Sequence, residues 1–177
     1  MTSDPYTTLA KTAVETWIKT RKIIEVPKDF PKEMVRKQAG VFVSLHLKDG
    51  SLRGCIGTFM PTKENIAQEI IANAISSATS DPRFPPVSEK ELPDLVFSVD
   101  ILSPPKNVSK VMDLDIKRYG LIVATFDGRR GLLLPDIPGI ETPEEQFRIC
   151  CLKAGIDPSE KVKLQTFTVE RHAEKHA

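Results

Sequence analysis

Two Asp-Gly dipeptides constrain the fold of this chain more than any other feature. Asp49-Gly50 and Asp127-Gly128 each stand between runs of apolar residues. Such a dipeptide marks a two-residue type I′ turn, whose twist suits a pair of antiparallel strands. Each predicts a hairpin: Val41 to Lys48 returning as Ser51 to Thr58, and Gly120 to Phe126 returning as Gly131 to Leu134. Further strands are predicted at Leu95 to Leu102 and Val162 to Val169. Adjacent hairpins make the sheet largely antiparallel.

Helical spacing fills the intervals. Asp4 caps and Pro5 opens a helix striped by Leu9, Ala13 and Trp17, running to about Lys22. A second is predicted to start at Pro61-Thr62, with Ile66, Ile70, Ala74 and Ala78 on one face. Thr142-Pro143-Glu144-Glu145 is a capping box for a third, stopped at Gly155. The result is an α+β fold, a largely antiparallel sheet with packed helices, in one domain over 1–177 with a flexible tail at 170–177. The hairpins also echo each other. Gly40-Val41-Phe42-Val43 precedes Asp49-Gly50 and Arg53-Gly54; Gly120-Leu121-Ile122-Val123 precedes Asp127-Gly128 and Arg130-Gly131. Either the chain is an internal duplication or the same hairpin chemistry is used twice.

Composition excludes several classes. With 40% hydrophobic and 28% charged residues, 177 residues can bury a core without metals or disulfides. A net charge of +1 lacks the basic excess of a protein that tracks phosphates, so no nucleic-acid partner is expected. No leader-like segment or membrane span is visible, which predicts a cytoplasmic protein without membrane contact. The three cysteines, Cys55, Cys150 and Cys151, suit reduced thiols. No phosphate-binding glycine motif is present, so no cofactor is expected. His172 and His176 lack a third ligand and read as a solvated tail, leaving no metal site.

The first hairpin carries the chemistry. A two-residue turn sets the pairs His46–Arg53, Leu45–Gly54, Ser44–Cys55 and Val43–Ile56. Val43, Leu45, Leu47, Leu52 and Ile56 then share an apolar face, and Ser44, His46, Arg53 and Cys55 the other. On that face Arg53 would favour a Cys55 thiolate and His46 would serve as base. Gly54 and Gly57 flank the thiol and admit a close approach of ligand or backbone. The competing reading makes Cys55 an inert packing residue, the glycines room for a helix, and Arg53 a structural ion pair with an acid such as Asp81. Asp81, Arg83 and Phe84 lie in a loop stiffened by prolines.

Leu52-Arg53-Gly54-Cys55-Ile56-Gly57-Thr58 resembles the signature of the AMMECR domain family. Asp81-Pro82-Arg83-Phe84-Pro85-Pro86 resembles its second shared block, followed by the Glu91-Leu92-Pro93 step. Ser103-Pro104-Pro105, Tyr119-Gly120-Leu121, Gly131-Leu132-Leu133-Leu134-Pro135 and Lys153-Ala154-Gly155 match as well. The resemblance spans about Thr8 to Val169. It implies two lobes around a cleft bordered by the signature. It also implies likeness to component A of the AmmeMemoRadiSam set, with Memo-like and radical SAM proteins as partners. It names no reaction, and two readings stay open. In one the chain is an enzyme or enzyme-system component acting on a small molecule or a modified residue. Cys55 is then nucleophile or thiol carrier, Arg53 and His46 assist, and Ser44, Gly54, Gly57, Asp81 and Arg83 hold substrate. In the other it is a non-catalytic adaptor whose Arg53 and Arg83 meet an acidic protein.

Overall fold

A computed structural model describes residues 4–27, 30–112 and 114–174. The chain forms two compact units. Unit 1 runs to Leu102 and resumes at Glu170; unit 2 is Ser103–Val169.

Unit 1 begins with helix α1, Pro5–Thr20, capped by Asp4 through the N–H groups of Tyr6 and Thr7. Helix α2, Lys32–Arg36, is one short turn. Strands β1, Val41–Leu47, and β2, Leu52–Thr58, form the first hairpin, and helix α3, Ile66–Thr79, follows. The helix starts later than the Pro61-Thr62 signal suggested, because Asn65 caps it through the Gln68 N–H. Glu69 meanwhile takes the N–H groups of Thr62 and Lys63 and the hydroxyls of Thr58 and Thr62. A 3₁₀ turn at Glu89–Asp94 carries a Ser88–Glu91 capping box and leads into β3, Leu95–Leu102.

Unit 2 comprises β4 (Lys106–Val108), the hairpin β5 (Gly120–Ala124) and β6 (Arg130–Leu133), helix α4 (Pro143–Ala154) and β7 (Lys163–Phe167). Strand β8, Val169–Ala173, returns to the first sheet. The segment read as a flexible tail is therefore ordered through Glu174. Arg171 clamps Asp100 through two bonds of 2.8 and 2.9 Å, and Glu174 receives the Phe97 N–H. His172 stacks on Tyr6 and meets Asp4 at 2.8 Å, so it is a packed residue and not a solvated one. His176 lies outside the described residues.

Both sheets have one plan. The orders are β2-β1-β3-β8 and, read in the same sense, β6-β5-β7-β4. Each unit runs hairpin, helix, third strand; unit 2 has its fourth strand, β4, ahead of its hairpin, and unit 1 takes its fourth, β8, from after unit 2 in the chain. The repeated Arg-Gly has a physical cause. A Cβ on Gly54 would overlap the carbonyl oxygen of Ser77 on α3, and one on Gly131 would overlap that of Cys150 on α4. In each unit the helix lies so close to the return strand that only glycine fits.

The unit 1 core lies between α1, α3 and one face of the sheet, where Leu9, Ala13, Ile70 and Ala74 meet Val41, Val43 and Leu45. In unit 2, Leu121 and Val123 pack on Cys150 and Cys151. Both cysteines are buried although adjacent, and burial pushes the Cys150 thiol up to about 12.

Gly54→Ala should cost about 2–3 kcal/mol, the range of overpacked cores, since the backbone of α3 must retreat. Urea unfolding checks this. A loss under about 0.5 kcal/mol, the scale of a neutral surface change, would show that the contact is loose.

Candidate functional site

The site grows from the way α3 docks on the first hairpin. Ser77 reaches between the two strands. Its hydroxyl accepts the Ile56 N–H at 2.8 Å and lies 2.8 Å from the Val43 carbonyl. One turn earlier, Asn73 donates to the Val41 carbonyl and to the Thr58 hydroxyl. Polar groups on a buried helix face are tolerable only when so bonded. With α3 fixed in this way, the chain leaves it at Ser80 and turns at once through Asp81.

Asp81 is the hub. Its side chain is 2% exposed and accepts the Cys55 N–H at 2.8 Å. The other partner is Arg83, which donates Nε to one carboxylate oxygen at 3.0 Å and Nη2 to the other at 2.7 Å. The Arg83 guanidinium holds the Asp81 carboxyl well below its ordinary range, against the opposing effect of burial. Nη2 also reaches the Cys55 carbonyl at 3.4 Å. Together the pair supplies the edge of β2 with the acceptor and the donor that a neighbouring strand would give.

Ser44 and Cys55 face each other in register, and the Ser44 hydroxyl donates to the Cys55 sulfur at 3.2 Å. Burial pushes the thiol up, while the Ser44 hydrogen bond and the Arg83 charge pull the other way. The resting site therefore holds a neutral thiol, not the thiolate that the sequence suggested. On β3, Ser98 faces Ser44 and Asp100 faces Phe42. Cys55, Ser44 and Ser98 thus form a row across three strands, flanked by the Asp81–Arg83 and Asp100–Arg171 pairs.

Arg53 and His46 sit differently from the expected register. Leu45 pairs with Gly54 but His46 pairs with Leu52, so Arg53 is the extra residue of a bulge. A bulge re-aims its side chain. Arg53 is 10% exposed, bonded through Nε to Glu91 at 2.7 Å, with its guanidinium 5.8 Å from the Phe84 ring centroid. It is the structural ion pair foreseen as the alternative, with Glu91 as partner in place of Asp81. Arg83 is the cation whose charge reaches Cys55. His46 shares the Ser44 face but lies opposite Leu52, which is exposed. Leu52 thus leaves the expected apolar face, while Leu47 still packs on the core.

The two glycines proposed to admit substrate are filled by protein: Gly54 by α3, Gly57 by the ring of Phe42, its partner on β1. The sequence reading missed Ser77, Asn73 and Asp100. Asp100, an acid inside the largely apolar strand Leu95–Leu102, was the visible signal. Among the described residues no group of three or more potential ligands could hold a metal, and no helix is long and apolar enough to cross a membrane.

A family model described as AMMECR1 matches residues 7–172. A protein from Thermotoga maritima is 54% identical over 169 residues, covering 95% of this chain and 97% of its own. One from Clostridium acetobutylicum is 46% identical over 97% of this chain, but the match takes up 36% of its length. The crystal structure of an uncharacterised protein from Pyrococcus horikoshii is similar at a TM-score of 0.84. It has 38% sequence identity and covers 94% of this chain and 88% of that one.

Glu91 is held down at about 2, first by Arg53 and then by the Ser88 bonds that outweigh burial. A depressed carboxyl contributes stability above its unfolded value and loses it as pH falls. Urea midpoints should therefore drop from about pH 4.5 toward 2 in the wild type, and drop less steeply in Glu91→Gln. Parallel profiles would mean that the Arg53–Glu91 pair adds nothing.

Proposed function

The chain belongs to the AMMECR1 family, and from that premise we propose that it is an enzyme, or a component of an enzyme system, whose chemistry centres on Cys55. The observation that carries this reading is the convergence on one cysteine of three polar groups. Ser44 donates to its sulfur, buried Asp81 holds its N–H, and Arg83 lies at its carbonyl. The two backbone bonds fix the strand edge that carries the residue, and the Ser44 hydroxyl and the Arg83 charge act on the thiol itself.

Cys55 serves as nucleophile or thiol carrier. It rests protonated, which protects it from adventitious oxidation. It reacts when a substrate brings an electron-poor centre to the sulfur and the proton is drawn off. Ser44 and Arg83 then stabilise the thiolate, by hydrogen bond and by charge. His46, two residues along β1 on the same face, is the candidate to take the proton. Arg83 replaces Arg53 as the group that meets an anionic part of the substrate; its side chain is 54% exposed while Asp81 beneath it is buried. Memo-like and radical SAM proteins remain the proposed partners. The Clostridium relative, in which the match takes up 36% of the chain, fits a component that works joined to, or beside, another polypeptide.

The adaptor reading has one observation in its favour, the same exposed Arg83. It loses Arg53, which is committed to Glu91. Cys55→Ser separates the two: the enzyme reading expects loss of function in cells lacking the protein, and the adaptor reading expects full rescue.

Alkylation of the folded protein against pH, followed peptide by peptide, tests the site. Cys55 should react well before Cys150 and Cys151, with an apparent pKa above the unperturbed ~8.5. Ser44→Ala and Arg83→Ala should each move it higher, since both side chains favour the thiolate. Simultaneous reaction of all three cysteines on unfolding alone would sink the proposal.

A further inference from the structure

Unit 1 carries a groove along α3 that the chemistry at Cys55 does not use. One wall is the helix itself, where Gln68, Ile71, Ala72 and Ile75 stand at helical spacing. The other is the irregular segment 23–26 that follows α1. From this segment Ile24 and Val26 pack toward the core, while Ile23 is 67% exposed. The space between the walls is about 500 Å³, within the range of small-molecule sites.

The lining is apolar except at Lys63, Gln68 and Glu25. Two of these gather where α3 begins. Lys63 precedes the Asn65 cap, and its backbone is held at both ends, the N–H by Glu69 and the carbonyl by Gln38. Gln68 is in the first turn, with its N–H on Asn65. Among the described residues neither the Lys63 ammonium nor the Gln68 side-chain amide has a protein partner. From Gln68 to Ile75 the helix rises about 10 Å, and Ile71, Ala72 and Ile75 present only hydrocarbon over that length. Glu25, the one acid of the lining, is exposed on the facing wall and forms no ion pair with Lys63. An apolar trough with an unpaired cation at one end is complementary to a ligand with an anionic head and a hydrocarbon tail.

We infer that this groove binds an amphiphilic carboxylate, a medium-chain aliphatic acid. The Lys63 ammonium and the Gln68 amide take the head, through hydrogen bonds strengthened by charge. The chain runs along Ile71, Ala72 and Ile75 with Ile24 and Val26 on its other side, and Ile23 gains cover from it. The sign of the head follows from Lys63, and the single polar end makes the ligand one-headed.

Amide NMR of the intact protein, titrated with octanoate, butyrate, octylammonium and octanol below their micelle concentrations, tests this. Saturable shifts centred on Ile24, Gln68, Ala72 and Ile75 are expected with octanoate. Each methylene removed should weaken binding about fourfold, so butyrate should bind about a hundredfold more weakly or worse. Lys63→Gln, at an exposed position, should weaken octanoate about tenfold and leave octanol unchanged. Glu25→Gln should leave octanoate as tight or tighter. The proposal is overturned if octanoate gives no saturable shifts or shifts centred on another surface, if octylammonium binds as tightly, or if Lys63→Gln leaves the octanoate affinity untouched. Groove resonances that move on dilution without any ligand would overturn it too, by showing a second copy of the chain seated there.

Discussion

The close approach of α3 to β2 is the contact on which the rest of unit 1 depends. It exists because position 54 has no side chain, so the helix backbone at Ser77 rests directly on the strand. That proximity lets a single hydroxyl reach both strands of the hairpin. It also fixes where the helix ends and hence where Asp81 falls. A glycine chosen for packing thereby sets the position of a carboxylate on the neighbouring residue's N–H. Packing and chemistry are not separable within Leu52–Thr58, since the residue that admits the helix, Gly54, stands next to the residue the helix serves, Cys55.

The electrostatics follow a consistent pattern. Each acid near the thiol row is buried and paired with an arginine that is partly exposed: Asp81 with Arg83, Asp100 with Arg171. The carboxylate fixes the guanidinium in place, and the guanidinium makes the buried charge tolerable. A thiol placed between such pairs feels cancelling charges, and desolvation is left to decide its state. The site is thus poised by what enters it and not by a standing field.

Much of this was legible in the sequence. The hairpins, the caps at Asp4 and Thr142 and the Ser44–Cys55 pairing follow from local rules, but the two-residue type I′ turns do not appear: positive φ falls on Gly50 and Gly128 and not on Asp49 or Asp127, and the loops close through the Leu47–Ser51 and Thr125–Arg129 backbone bonds. The failures have physical causes. A bulge is invisible to period-two counting, so Arg53 was aimed at the thiol when it turns to Glu91. β8 was read as a tail because its residues, Glu170, Arg171 and His172, are polar. They are ordered by partners at Asp100, Phe97 and Asp4, far away in sequence, which no local pattern reveals. The α3 start was placed too early because Glu69 satisfies Thr62 and Lys63 without making them helical. The Arg-Gly echo, in contrast, carried more than hairpin chemistry: it marks the same helix-on-strand contact in both units.

The late place of β8 in the chain has a consequence for biosynthesis. β3 leaves the ribosome before any of unit 2, while the strand that lies beside it, β8, comes after all of it. During that interval the nascent first sheet has a bare edge and Asp100 waits for Arg171. Unit 2 is continuous from Ser103 and needs nothing later than Val169 to close. The order of completion is therefore the reverse of the order of translation, and the thiol-bearing half is the last to become native. Elongation rate, and chaperones that shield open sheet edges, should bear on the yield of this half first.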